Sequence, residues 1–241
     1  MLPKWTLSAR PMGRRNRRRS LAVAGVAAAC AAIIPVAGCG SSSRPVQMGA
    51  AATIGNQRIT NSTLSTQVAG LSKAYKANPK LASQLQYKPA QMPQLVLAWL
   101  VRFQVLNKVA QNKGIKTSPA DSQRGLAAAG QVFQQETGQQ ISSSELALAN
   151  AVPPGLMTQF GQFEATLSKL TVAYTGGKQP KSQQEQQQES QMVNQRLMAD
   201  IGTATKSLHV TINPRYGQLN TSQLTITPAK SKLSSPSSSN G

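Results

Sequence analysis

The stretch QLVLAWLVRFQVLNKVAQNK, Gln94 to Lys113, decides the fold class. Within it Leu95, Val96, Trp99, Leu100, Phe103, Leu106 and Ala110 recur at three- and four-residue intervals, while Lys108 and Gln111 fall elsewhere on the helical wheel. That spacing is the period of an α-helix with an apolar face, the strongest helix signal in the chain. Gly114 closes the helix, since glycine takes positive φ freely beyond a last turn. The segment Thr117-Ser-Pro119-Ala-Asp121 opens the next helix, proline being tolerated in a first turn. That helix continues through Leu126, Ala129 and Phe133.

The same period recurs further along the chain. A short helical piece at Ser143 to Ala151 precedes Pro153-Pro154, after which Leu156, Phe160, Phe163, Leu167, Leu170 and Tyr174 form one apolar face. Gly176-Gly177 ends that helix. The Gln-rich run QQEQQQESQ, Gln183 to Gln191, starts a last one, with Val193, Leu197, Ile201, Ala204 and Leu208 as its stripe and the glutamines as its exposed surface. Toward the N-terminus, Thr60-Asn-Ser-Thr63 offers capping side chains ahead of Leu64, Val68 and Leu71, a first helix that ends near Asn78-Pro79.

Before that helix, AATIGNQRI (Ala51 to Ile59) has short apolar runs around Gly55-Asn56, a pair suited to the positive φ angles of a tight hairpin turn. After the last helix, Val210 and Ile212 alternate with His209, Thr211 and Asn213, the period of a half-buried strand that Pro214 ends. A lone strand cannot satisfy its backbone, so Val210 to Ile212 is expected to pair with the Thr53 to Ile59 region. The predicted architecture is mostly α with a small β element that joins the two ends of residues 51–217. The remainder, residues 218–241, closes in SSPSSSNG and is too poor in large apolar residues to offset the entropy of ordering, so a disordered Ser/Pro-rich tail is expected there.

The first 38 residues carry three zones: a basic run at Arg14 to Arg19, an apolar stretch from Leu21 to Val36, and a small-residue ending. This is the pattern of an export signal, and the apolar stretch is short against the roughly 20 residues a membrane-spanning helix needs. The ending Val36-Ala37-Gly38-Cys39 is similar to a lipobox, in which a branched apolar residue and two small ones precede the cysteine to be modified. Cleavage before Cys39 is expected to free its amine after the sulfur has taken a diacylglyceryl group. With a further acyl chain such as palmitate this makes a stable membrane anchor, since each buried methylene contributes about 0.8 kcal/mol. An ordinary secretory signal with an incidental cysteine is the other reading. Arg18-Arg19-Ser20-Leu21 also resembles a twin-arginine signal, which leaves the export route open. Residues 39–50 then read as the lipidated cysteine and a flexible tether.

Of 26 lysines and arginines, seven lie before Cys39, so the remainder keeps 19 against seven acidic residues, a net charge of +12. Such a surface attracts anionic partners in general. The cations are scattered without interleaved aromatics, and export argues against nucleic acid as partner. The only two cysteines are Cys30, inside the leader, and Cys39, so the mature chain has no internal disulfide and its stability rests on packing.

A short strand with a tight turn (Ile54-Gly55-Asn56), a helix start at Ile59-Thr60 and a long helix around Trp99 and Phe103 are followed by the step Gly114-Ile115-Lys116-Thr117-Ser118-Pro119 and a terminal strand Val210-Thr211-Ile212-Asn213. Together they resemble the SurA N-terminal domain over roughly residues 50 to 217. Asn56 follows the glycine where that family more often has it before. The resemblance implies an extracytoplasmic, chaperone-like domain that binds unfolded or exported polypeptides. Many members carry an inserted parvulin-type prolyl isomerase domain, for which this chain has no room, so binding without isomerase chemistry is what the resemblance implies.

One histidine, His209, and seven carboxylates give little material for acid/base, triad or metal chemistry, and no catalytic residue, metal or cofactor is expected. Glu185 and Glu189 sit four apart on the Gln-rich helix and read as solvated surface; His209 reads as a plain polar position on the terminal strand. Trp99, Phe103, Phe133, Phe160 and Phe163 are the candidates for lining a polypeptide-binding groove, although residues on such helical stripes more often belong to a core. A structural lipoprotein that docks one folded partner is the alternative function, and the oligomeric state is open.

Overall fold

The computed structural model describes residues 48–85, 88–178 and 180–228. The chain enters as strand β1 (Ala50–Ile54), turns at Gly55-Asn56 into β2 (Gln57–Thr60), and passes into helix α1 (Asn61–Ala77). Of the turn pair only Gly55 takes positive φ, at +58°, the pattern of a hairpin with glycine at its first central position. The expectation of positive φ at both residues is thereby corrected. Thr60 caps α1, its side chain accepting from the Thr63 amide at 3.0 Å. A short helix the sequence reading did not separate, α2 (Pro79–Leu85), follows.

Helix α3 (Met92–Asn112) packs against α1, α6 (Met157–Thr175), α7 (Gln183–Leu208) and β1. Its central position explains a departure from the one-faced helix read in the sequence. Leu97, Val101 and Val105 are buried along with Val96, Trp99, Phe103, Leu106 and Val109, whereas the stripe members Leu95 and Leu100 are only half-buried. A helix with neighbours on several sides buries more than one stripe and keeps only a narrow polar edge, at Gln104, Asn107 and Gln111.

Ser118 caps α4 (Pro119–Thr137) in a reciprocal box: its Oγ accepts from the Asp121 amide at 3.2 Å and its own amide donates to Asp121 Oδ2 at 2.8 Å. Ser142 and Glu145 repeat the device at α5 (Ser143–Ala149), where Ser142 holds the Glu145 carboxyl below the usual range. Tyr75 ties α1 to this helix, donating from its hydroxyl to the Leu148 carbonyl at 2.9 Å. Helix α4 lies along α6 so closely that a methyl group on Gly125 would meet the Ala165 backbone nitrogen at 2.6 Å.

Strand β3 (Thr211–Ile212) pairs antiparallel with β1, Ala52 opposite Ile212 and Thr53 opposite Thr211, giving the sheet order β2-β1-β3. The two ends of the domain meet as the sequence predicts, with the register set at the middle of β1 and β2 on its other edge. Because β1 is the central strand, with α1 and α3 packed on it, Ala50, Ala51 and Ala52 are fully buried, and alanine is what such a covered strand accommodates. Neither His209 nor Val210 is on the strand: His209 ends α7 at φ +46°, and β3 begins at Thr211. The alternation that placed them there starts one turn too early, because the helix runs to Leu208.

The tail expected from Gln218 does not begin there. Strands β4 (Gln218–Asn220) and β5 (Thr225–Thr227) form a hairpin, and β5 lies against α3 with Leu224 and Ile226 only 3% and 8% exposed. These two apolar residues outweigh the polar composition around them, since each contributes on the order of 2 kcal/mol when buried. Residues 229–241 of the expected tail lie outside the described residues, as do the leader, Val36, Ala37, Gly38 and Cys39. Among the described residues no helix is long and apolar enough to cross a membrane.

Candidate functional site

Four of the five aromatic candidates come together between α3 and α6. The Trp99 ring is 5.5 Å from Phe103, 5.4 Å from Phe160 and 5.3 Å from Phe163, and Phe103 is 5.9 Å from Phe163, mostly edge to face. Such geometry sets the positive ring edge against the negative face and adds about 0.5–1.5 kcal/mol per pair beyond burial. Helical spacing produces it: Trp99 and Phe103 are four apart on α3, Phe160 and Phe163 three apart on α6. The Trp99 indole donates to the Asn150 carbonyl at 2.6 Å, and the Arg102 guanidinium lies 4.8 Å over its ring. Phe133 stands half-buried on α4 and takes no part in these ring contacts.

All four clustered rings are buried, so they act first as core. Phe103 and Phe163 nevertheless reach the floor of a surface cleft of about 110 Å³, walled by Gln104, Asn107, Gln159, Gln162 and Thr166. The sequence reading did not single out these amides. A signal was present: Gln104 and Asn107 are three apart on one helix, as are Gln159 and Gln162 on the other, so each pair shares one edge of its helix. Each amide offers both a donor and an acceptor, the pair a peptide unit also carries. A cleft with an apolar floor and amide walls suits a chain segment whose side chains vary and whose backbone does not.

The cations are drawn toward two carboxylates. Lys169 Nζ lies 2.7 Å from Asp121 and donates to the Lys116 carbonyl at 2.8 Å, while Arg124 reaches the other Asp121 oxygen at 2.9 Å. The bonds from Lys169 and Ser118 hold the Asp121 carboxyl well below its ordinary range. Lys113 pairs with Asp200 at 2.9 Å, Tyr174 donates to the same carboxylate, and Arg196 donates to the Tyr174 carbonyl at 2.7 Å. Burial and the bond to Asp200 push the Tyr174 hydroxyl up. Glu185 serves as a helix start, its carboxylate accepting from the Lys181 amide at 2.7 Å. Among the described residues no three His, Cys, Asp or Glu side chains are grouped to hold a metal ion.

Glu164 on α6 is half-buried, and loss of water pushes its carboxyl up to about 7. The folded state therefore holds a proton that the unfolded state, titrating near 4.5, releases. Below about pH 4.5 both states are protonated and Glu164 costs nothing; the cost grows between about pH 4.5 and 7 and is constant above that, where both states are ionised. Glu164→Gln is expected to leave stability unchanged at pH 4 and to raise it by about 2 kcal/mol at pH 8, allowing for partial exposure. Urea denaturation at both pH values checks this; an equal effect at the two would contradict it.

A family model described as the SurA-like N-terminal domain matches residues 14–146, more than half of the chain. The match ends within α5, so α6, α7 and β3, which complete the core around α3, lie beyond it. No curated protein and no solved structure compared with the chain matches it.

Proposed function

Because the chain belongs to the family of SurA-like N-terminal domains, we propose that it is a chaperone-like module that binds non-native or exported polypeptides and performs no catalysis. It is held on the extracytoplasmic side of a membrane through acylated Cys39, behind the short polar tether. The cleft between α3 and α6 carries this reading. Phe103 and Phe163 offer apolar contact, and Gln104, Asn107, Gln159 and Gln162 offer hydrogen bonds to any peptide backbone. A site of that kind discriminates little among sequences, which is what binding many unfolded clients weakly requires. Anchoring near the membrane raises its effective concentration where exported chains emerge.

Aggregation suppression of two unrelated, chemically unfolded clients tests the proposal. Wild-type protein is expected to suppress both in proportion to its dose, and Trp99→Asp, which places a charge in the aromatic cluster, to lose the effect. Absence of suppression for either client overturns the proposal and favours a module that docks one folded partner.

A further inference from the structure

The short stretch from Leu224 through β5 is held against α3. Leu224, the last residue of the turn, and Ile226 in β5 are both buried, while Thr227 is exposed. Arg102 of α3 donates from Nε to the Leu224 carbonyl at 3.1 Å, and its guanidinium is braced 4.8 Å over the Trp99 ring. A helix face thus supplies both kinds of contact that an extended ligand asks for: burial for alternate side chains and a donor for the backbone. Trp99 touches Phe103 at 5.5 Å, and Phe103 lines the amide-walled cleft, so this face and the cleft adjoin along α3.

The segment is held under conditions that favour exchange. Each strand of the hairpin has three residues, and a two-stranded ribbon of that size has little stability of its own. Leu224 adopts φ +48°, a conformation that a leucine side chain disfavours and that release would relieve.

We propose that the Arg102 face of α3 is a binding site for an extended polypeptide segment with apolar side chains at alternate positions, and that Leu224 to Thr227 occupy it as an internal stand-in. The site rests on the chaperone-like reading and gives it a substrate class: extended, alternately apolar chain. A client engages by displacing β5, so its apparent affinity is set by the fraction of molecules in which the hairpin is undocked.

The test uses the full chain and, as probe, a fluorescent peptide of the hairpin's own sequence, QLNTSQLTITP. The double variant Leu224→Asp/Ile226→Asp, whose hairpin cannot dock, is expected to bind the peptide at least about tenfold more tightly than wild type. Adding Arg102→Ala should remove most of that gain. Equal affinity in wild type and the undocked variant overturns the site. Hydrogen exchange on the wild-type chain needs no variant to fold: excess unfolded client should speed exchange of the amides at 219–227, and unchanged exchange with client bound overturns the site independently. Aggregation suppression measured alongside separates the two levels. If wild type suppresses aggregation while both arms are flat, the site fails and the chaperone-like reading stands; if nothing suppresses aggregation or binds peptide, both fail.

Discussion

Phe160→Ala is expected to destabilise the protein by about 3–5 kcal/mol, read as a lower urea midpoint with unchanged slope. Phe160 is 1% exposed, packs edge to face on Trp99 at 5.4 Å, and sits where α6 meets α3. Truncation removes its buried surface and leaves a void whose walls belong to two long helices, neither of which can shift without disturbing other contacts. The neighbouring Trp99 is fixed by its bond to the Asn150 carbonyl and cannot swing to fill the space. A loss below about 1.5 kcal/mol would mean that the cluster repacks, and would contradict a rigid aromatic centre.

Gly125→Ala should cost about 2–3 kcal/mol although alanine is the better helix former. The added methyl would lie 2.6 Å from the Ala165 nitrogen and 3.0 Å from its Cα, backbone atoms that have no alternative rotamer. Relief requires α4 and α6 to move apart along their whole contact, which outweighs the roughly 1 kcal/mol gained in propensity. Gly130, on the same helix, is the internal control. Its nearest neighbour would be the Ile141 carbonyl at 3.9 Å, so Gly130→Ala is expected to be neutral or stabilising. Thermal melts of the two variants side by side check the contrast; similar effects would refute the close approach of α4 and α6.

The helices were legible because their apolar spacing is regular and their ends are marked by Ser118, Pro119, Gly114 and Gly176. What periodicity could not convey was how many neighbours a helix has. α3 carries apolar residues over most of its circumference, and a reading that seeks one face selects Leu95 and Leu100 over the more buried Leu97 and Val101. β1 escaped the alternation rule for the same reason, since a strand covered on both faces has no polar side. The hairpin at 218–227 was obscured by the Ser/Pro/Lys-rich residues that follow, and only Leu224 and Ile226 mark it. At the cleft, aromatic residues announce themselves in the sequence, whereas which amides share its lining is a property of the α3–α6 packing.

The same packing frames the most direct test of polypeptide binding. Gln104→Ala/Gln162→Ala removes one amide from each wall of the cleft while leaving the four buried rings in place. Helicity and the urea midpoint of this variant are expected to stay close to wild type, so a change in function cannot be assigned to unfolding. The decisive measurement is suppression of aggregation of two unrelated unfolded clients by wild type and this variant at equal concentration. The account predicts strong suppression by wild type and a several-fold weaker effect from the variant against both clients; equal suppression by the two proteins would contradict a role for the cleft in holding non-native chains.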